Sequence, residues 1–298
     1  MTSITTRRRW TVVGFLSPFL LLMTLFLIVP ILFALYQSVM GIKRSGAFGK
    51  AGSPEFVGLN NYIQALGDPT FTASFGRVLL FAAVQVPLMI VFATVLALLL
   101  DAASARWVKF FRTAFFLPYG VPGVIASMLW GFLYTPQLSP LIDVGNLLGI
   151  RLDFLGGGSI LWSIANIVTW QYAGYNMLVL VAQLKSIDQD LFEAAEIDGA
   201  NAWQMVTKIK LPLIRPALIL TTVFTIIGTI QLFTEPMILQ PISPSIGTGY
   251  TPNLAAYNEA FTRNNYNLAA AEAVILAVAA TGLSFGFLKF VTRKERSV

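Results

Sequence analysis

Long apolar runs, separated by short polar segments, follow one another along almost the whole 298-residue chain. Six of these runs are long enough to cross a lipid bilayer, because about 20 apolar residues in a helix span its hydrocarbon core. The pattern predicts an all-α, polytopic membrane protein whose six transmembrane helices form a single domain, 1–298. The predicted helices cover residues 11–36, 77–100, 111–134, 159–184, 212–238 and 268–290.

Proline positions and the segments between the runs refine this pattern. Pro118 and Pro122 lie inside the third run and predict a bend near the middle of the membrane, since proline lacks the helical N–H donor. Short helices are expected at 59–66 and 253–262, in two of the connecting segments. The connection 185–211 is polar, yet its residues also favour helices.

The composition agrees with a membrane protein and removes much catalytic chemistry. The chain is 56% hydrophobic and only 11% charged, whereas soluble domains have about 25% charged residues. It contains no Cys and no His, which excludes disulfides, thiolate nucleophiles, Cys-ligated zinc and the commonest general base. We therefore expect neither a catalytic residue nor a metal site on this chain.

Lys and Arg residues are distributed unevenly among the predicted connections. With a cytoplasmic N-terminus, 14 of the 20 would lie on the cytoplasmic side. Such an excess is typical of cytoplasmic loops, so we expect both termini in the cytoplasm. The net charge of +6 is then an orientation signal rather than a sign of nucleic-acid binding. In this topology the segment 185–211 faces the cytoplasm.

The cytoplasmic segment 185–211 is predicted to form two short helices. Asp188 or Asp190 can cap the first helix, and Gly199 suits the left-handed turn that would end it. The second helix is expected from about Asn201, and Pro212 should end it and open the next span. We call this pair of helices, within 185–211, the bracket. Such a pair can bind a partner protein; alternatively, it can lie on the lipid surface as an amphipathic pair.

The spacing of residues in this segment carries a resemblance to a known family. Glu193-Ala194-Ala195, Gly199, Ile209 and Leu211-Pro212 match the pattern E-A-A-x3-G-x9-I-x-L-P at every defined position. This pattern resembles the EAA signature of permeases in binding-protein-dependent ABC importers. Looser similarities to the first permease type of the carbohydrate family, including its glycerol-3-phosphate branch, occur at 17–18, 56–62, 117–118 and 203–204.

The resemblance implies a type I ABC importer permease fold, in which the EAA segment couples the permease to an ATPase. The residues implied in coupling are Glu193, Ala194, Ala195, Asp198, Gly199, Ala200, Ile209, Leu211 and Pro212. The chain lacks the pattern G-x4-G-K-[ST], so no cofactor is expected on it. ATP and Mg would bind to the partner ATPase. The implied partners are a second permease subunit, two ATPase subunits and an extracytoplasmic sugar-binding protein, in a bacterial or archaeal plasma (inner) membrane.

Polar and aromatic residues inside the fourth and fifth predicted helices are candidates for the substrate pathway. They are Gln171, Tyr172, Tyr175, Asn176, Gln231 and Glu235. The four in the fourth helix fall within an arc of roughly 140°, and polar groups beside aromatic rings suit a carbohydrate. Hydrogen bonding between helices is the alternative role. Glu235 and Glu272 lie near predicted outer helix ends, where we expect hydrated carboxylates at the membrane interface.

Two other classes of protein are compatible with six apolar runs. A secondary transporter or channel would act without an ATPase, but it typically carries several intramembrane ionisable residues and internal repeats. A membrane enzyme would need an Asp/Glu or Ser/Lys site at membrane depth. The sequence offers no convincing set of either kind, so the ATP-driven importer is the favoured interpretation.

Overall fold

The computed structural model describes residues 2–43, 53–102 and 106–295, and their side chains except those of 2–10, 43 and 292–295. Within these ranges the regular structure is helical apart from one two-stranded antiparallel sheet. Internal contacts divide the chain into two units. The first comprises Met1–Pro69 and Ala256–Ile275, and the second comprises Thr70–Ala255 and Leu276–Val298.

The first unit begins with one long apolar helical stretch. It consists of α1 (Thr2–Met23), a π-helical turn (Thr24–Ile28) and α2 (Val29–Ser38). Strands β1 (Met40–Lys43) and β2 (Ser53–Phe56) and helix α3 (Asn60–Gly67) follow. The buried Asn61 amide donates hydrogen bonds to the carbonyl oxygens of Ser38 (2.8 Å) and Met40 (2.9 Å). Asn61 thereby ties α3 to the end of α2, and α3 confirms the short helix predicted at 59–66.

The second unit contains most of the helices. They are α4 (Pro69–Asp101), α5 (Val108–Phe116), α6 (Gly123–Tyr134), α7 (Pro140–Leu147), α8 (Ile160–Leu184), α9 (Gln189–Ile197), α10 (Ala202–Gln204), α11 (Leu211–Leu213), α12 (Arg215–Ile230) and α13 (Thr234–Leu239). A 3-10 turn at Leu117–Gly120 follows α5, and a π-helical stretch at Met205–Lys210 follows α10. Helices α14 (Pro252–Phe261) and α15 (Tyr266–Glu295) each contain residues of both units. Helix α14 confirms the short helix predicted at 253–262.

Four helical stretches of the described chain are long and apolar enough to cross a membrane. They are Thr11–Ser38, Pro69–Asp101, Arg215–Leu239 and Tyr266–Val291, at the places of the predicted first, second, fifth and sixth helices. The pair Val108–Gly120 and Gly123–Tyr134 can count as a fifth. Helix α8 coincides with the predicted fourth helix, but buried polar side chains such as Gln171 and Asn176 make it less apolar. The number of six crossings therefore stays a prediction.

The bend predicted at Pro118 and Pro122 is confirmed. The chain turns by 99° between the 3-10 turn and α6. Pro122 is the residue before α6, and its ψ of 136° is extended rather than helical. The Gln171 side chain on α8 donates a hydrogen bond of 2.8 Å to the Val121 carbonyl oxygen. This bond supplies a partner to a backbone group that the broken helix leaves free.

The fifth predicted helix, 212–238, is not continuous. Helix α12 ends at Ile230 and α13 begins at Thr234, so three residues between them are not helical. Pro236 explains the break, because a proline ring clashes with the carbonyl group four residues earlier, here that of Leu232. The interruption lies in the C-terminal third of the apolar stretch Arg215–Leu239.

Helix α8 lies at the centre of the buried side chains of the second unit. Its first half, including Ile164 and Ile167, packs in a cluster with Tyr134 of α6 and Leu239 of α13. Its second half, including Met177, packs in another cluster with residues of α4 and α12. Helix α8 therefore connects the bent pair, the broken helix α12–α13 and the segment that follows residue 184.

Candidate functional site

The segment 185–211, which the sequence predicts to be cytoplasmic, forms two short helices as expected. Asp188 caps α9, and its Oδ1 accepts a hydrogen bond from the Asp190 N–H at 3.2 Å. At the other end Gly199 adopts a φ of +83°, and the Ala200 N–H donates to the Ala195 carbonyl at 2.9 Å. This is the Schellman arrangement that favours glycine. The predicted cap and the predicted left-handed turn are both confirmed.

The second helix of the bracket begins as predicted and ends later. Asn201 and Gln204 exchange hydrogen bonds of 2.9 Å in a capping box, which fixes the start of α10. The chain then remains helical through the π-helical stretch and α11, as far as Leu213. Pro212 therefore does not end this helix. Pro212 closely follows the π-helical stretch, where the regular α-helical hydrogen bonds are already interrupted, and the helix ends at Ile214.

One lysine holds the bracket against the rest of the second unit. The Lys210 Nζ lies 2.7 Å from Asp101 Oδ2 at the end of α4, and both side chains are largely buried. The same Nζ lies 5.1 Å from the centroid of the Phe192 ring on α9. An ion pair and a cation–π contact at one ammonium group connect both helices of the bracket to α4. The bracket is therefore an anchored part of the unit.

The outer surface of the bracket is exposed and partly apolar. Large apolar side chains there are Leu191, Ile197 and Trp203, with exposed fractions of 51%, 86% and 75%. Glu193, Ala194, Asp198, Gly199 and Pro212 are exposed as well, whereas Ala195, Ala200, Ile209 and Leu211 are partly buried. Glu193 forms no ion pair with the described residues. The exposed residues form a surface that the described chain leaves uncovered.

A second feature is a cavity of about 400 Å³ between α8 and the break that separates α12 from α13. Its lining includes five of the six predicted pathway residues. The lining residues with polar side chains, tyrosines included, are Tyr119, Tyr172, Tyr175, Asn176, Thr225, Thr229, Gln231, Thr234 and Glu235. Apolar side chains, among them Met89 and Phe224, complete the lining. This composition resembles that of small-molecule sites, which are largely apolar with a few polar groups.

Three tyrosine rings form one side of the cavity. The rings of Tyr119 and Tyr175 are stacked with centroids 4.8 Å apart, and Tyr172 meets Tyr119 edge-on at 5.9 Å. The sequence-based selection missed Tyr119. It lies between Pro118 and Pro122, and the predicted bend is the signal that could have found it, because the bend turns this residue toward α8.

Gln171, the sixth residue predicted for the pathway, does not line this cavity. Its side chain is only 3% exposed and donates to the Val121 carbonyl. This contact is of the kind that the alternative role, hydrogen bonding within the helix bundle, predicts. Asn176 lines the cavity but also donates a bond of 3.3 Å to the Tyr172 carbonyl, within α8.

The two carboxyl groups that were expected to be hydrated are buried. Glu235 is 7% exposed, in the first turn of α13, and Glu272 is 2% exposed. Glu235 faces the cavity rather than the exposed surface of the chain, and the hydration of the two side chains stays a prediction. Among the described residues, no group of three or more Asp or Glu side chains is placed to hold a metal ion.

Comparison with known proteins identifies relatives over nearly the whole chain. Residues 102–296 match the family described as "Binding-protein-dependent transport system inner membrane component". The lactose transport system permease protein LacF of Rhizobium radiobacter is 30% identical, covering 95% of this chain and 93% of its own. The sn-glycerol-3-phosphate transport system permease protein UgpA of Agrobacterium fabrum is 32% identical, with 93% of each chain covered.

A solved structure has the same fold. It is the structure of a bacterial ABC transporter involved in the import of the acidic polysaccharide alginate. The TM-score is 0.82 at 22% identity, and the alignment covers 96% of both chains.

Proposed function

Because this chain belongs to the family of binding-protein-dependent transport system inner membrane components, we propose that it is the permease subunit of an ATP-driven carbohydrate importer. The observation that carries the proposal is the EAA-type bracket, which is anchored to α4 and in which Glu193, Ala194, Gly199 and Pro212 of the matching residues are exposed. The relatives named for lactose and sn-glycerol-3-phosphate support a small hydroxylated solute. They leave both uncharged and anionic solutes open.

The bracket is the proposed docking surface for an ATPase subunit. Leu191, Ile197 and Trp203 would lose their exposure in a complex, and Glu193 would meet a basic group of the ATPase. Gly199 keeps the turn compact, so the two helices can enter a cleft together. Motion of the ATPase would then reach α8, which precedes the bracket, and α12, which follows it.

The rest of the importer would consist of other polypeptides. We propose a second permease, two ATPase subunits that bind ATP and Mg, and a binding protein on the outer side. The chain itself would be non-catalytic. It would cross the plasma membrane six times with both termini in the cytoplasm, as the distribution of Lys and Arg favours.

The cavity at α8 is the proposed part of the translocation pathway in this chain. Tyrosine rings can pack against the apolar faces of sugar rings, while the Gln231 and Glu235 side chains can bind hydroxyl groups. Broken membrane helices commonly border transporter binding sites near the middle of the membrane, and the break after Ile230 is of this kind.

The test of the proposed function first identifies the carbohydrate by a thermal-shift screen of the cognate binding protein. It then measures two quantities for each variant: the uptake of that carbohydrate and the amount of ATPase retained by the purified permease. Glu193→Lys reverses the exposed charge, and Gly199→Asp places a side chain on the turn. Loss of a charge pair at an interface costs about 2–5 kcal/mol, which applies to Glu193→Lys. In Gly199→Asp the new side chain strains the left-handed turn and stands between the bracket and its partner. We therefore expect both variants to lose at least about tenfold in ATPase retention and uptake.

Two matched controls separate docking from local strain. Gly149 has a φ of +73° and, like Gly199, open space around the position of a Cβ atom, so Gly149→Asp imposes the same backbone strain elsewhere. Asp143→Lys reverses an exposed charge on α7. Both controls should keep the ATPase and the uptake. Normal retention and normal uptake in Glu193→Lys and Gly199→Asp would refute the coupling role of the bracket.

A further inference from the structure

We propose that the cavity at α8 selects against anions, so that the solute which passes this chain is an uncharged carbohydrate. This inference rests on the proposed transport function and narrows it. Phosphate esters and uronic acids, the anionic members of the carbohydrate class, would be excluded by the residues of the cavity itself.

The first argument is the charge of the lining. Apart from the tyrosines, Glu235 is the one ionisable side chain among the described residues that line the cavity. The described lining therefore contains no Lys or Arg. The Glu235 carboxyl group forms no ion pair with any described residue. An ionised Glu235 repels an anionic solute, and a protonated Glu235 still provides no positive charge to balance it. A buried anion without a partner is strongly disfavoured.

The second argument is the direction of the broken helix. Helix α12 ends at Ile230, and Gly228 and Thr229 of its last turn line the cavity. The C-terminal end of a helix carries a partial negative charge. At this end the Ile227 and Thr229 carbonyl groups accept hydrogen bonds from the Gln231 and Leu232 N–H groups. The Gln231 carbonyl accepts one from the Asn253 amide at 2.8 Å. The helix end therefore adds to the negative potential of Glu235, and it would favour hydroxyl groups as hydrogen-bond donors.

The third argument concerns the donors that remain. Anion sites in proteins use Arg, Lys or the backbone N–H groups at the start of a helix. The Thr225 hydroxyl is bonded to the Thr221 carbonyl, and the Asn176 amide to the Tyr172 carbonyl. The first turn of α13 contains Glu235 itself. The donors that remain are uncharged, and they are the tyrosine hydroxyls, the Thr229 and Thr234 hydroxyls and the Gln231 amide. Together with the tyrosine rings and the carboxyl and carbonyl oxygens, they fit the apolar faces and hydroxyl groups of a neutral sugar.

The experiment measures weak binding to the complete, nucleotide-free importer in the absence of the binding protein. Saturation-transfer NMR is used with lactose as the neutral probe and with glucuronate and glycerol 3-phosphate as the anionic probes. Tyr172→Ala identifies the part of each signal that comes from the cavity. We expect Tyr172-dependent binding of lactose, and binding of both anions that is weaker by about tenfold or more.

The variant Glu235→Gln keeps the size of the side chain and removes its charge. It should raise the affinity for the two anions relative to lactose by about tenfold. Asp143→Asn, which removes an exposed carboxylate outside the cavity, should leave this ratio unchanged.

The outcomes separate this inference from the proposed function. Tyr172-dependent binding of an anion as tight as that of lactose would overturn the charge selection and leave the pathway in place. An unchanged ratio in Glu235→Gln would overturn the assignment of selection to this residue. If no probe binds in a Tyr172-dependent way, the cavity is not the pathway, and the proposed role of the cavity fails together with the inference.

Discussion

At the scale of single residues, one close approach between helices α5 and α8 requires a glycine, which has no side chain. A Cβ atom on Gly174 of α8 would lie 1.9 Å from the Phe115 carbonyl oxygen on α5. The backbones of these two helices therefore touch, as small residues allow in membrane proteins. By contrast, a Cβ atom on Gly286 of α15 would meet nothing within 4 Å. The two glycines look alike in the sequence, and only the packing distinguishes them.

This contrast leads to a prediction about stability. Gly174→Ala should force α5 away from α8, at the cost of about 1–3 kcal/mol that is typical of overpacking. The melting temperature of the purified importer in detergent should fall, whereas Gly286→Ala should leave it unchanged. The cavity at α8 should also be disturbed, because its lining residues Tyr172 and Tyr175 lie within two positions of Gly174 in the chain. Equal stability of the two variants would mean that α5 and α8 are further apart than the structure has them.

Single residues of the cavity were only partly predictable. An arc of polar side chains on one helix identified Tyr172, Tyr175 and Asn176, because helical periodicity is a local property. The same arc included Gln171, which binds the Val121 carbonyl instead. Periodicity gives the face of a helix but not the neighbour on that face. Tyr119 was missed for the same reason, since it reaches the cavity through a bend in another helix.

At the scale of secondary-structure elements, helix starts and turns were easier to predict than helix ends. The cap at Asp188, the turn at Gly199 and the bend at Pro118 and Pro122 follow from local backbone chemistry. The break at 231–233 was not predicted, because a membrane helix can tolerate a proline such as Pro236 when its neighbours compensate. The π-helical stretches have no comparable sequence signal.

The anchoring of the bracket gives a prediction at this scale. Asp101→Asn removes the carboxylate that pairs with Lys210 and leaves a largely buried ammonium group, which should cost about 1.5–3 kcal/mol locally. Hydrogen exchange at the backbone amides of 189–204 should become faster. The double variant Asp101→Asn with Lys210→Met should lose less than the sum of the two single changes, since neither partner is then left alone.

A control and a contrary outcome complete this experiment. Asp143→Asn removes a carboxylate on α7 that is exposed, and it should not alter exchange in the bracket. Strict additivity of the two single changes at Asp101 and Lys210 would mean that their 2.7 Å contact does not hold the bracket.

At the scale of the whole molecule, the sequence predicted a polytopic helical protein because apolar length is nearly sufficient to identify a membrane helix. The number of crossings is harder to predict. Helix α8 is partly polar, since the side chains that it buries against other helices include amides such as Gln171 and Asn176. The pair α5–α6 bends by 99°, which is compatible with a broken span and also with a re-entrant loop.

The last prediction addresses this bent pair. Because the chain contains no Cys, a single introduced Cys is the one thiol that a maleimide reagent can label on it. Lys109 lies just after the start of α5, and Leu147 ends α7; both side chains are exposed, Leu147 by 87%. If α5 and α6 together cross the membrane once, these two positions lie on opposite sides. A membrane-impermeant maleimide should then label Leu147→Cys in intact cells, and Lys109→Cys only after the membrane is permeabilised.

Labelling of both from the same side would make the pair a re-entrant loop, and the two termini would then lie on opposite sides of the membrane. Labelling of Lys109→Cys alone in intact cells would invert the topology and place the bracket outside, away from any cytoplasmic ATPase.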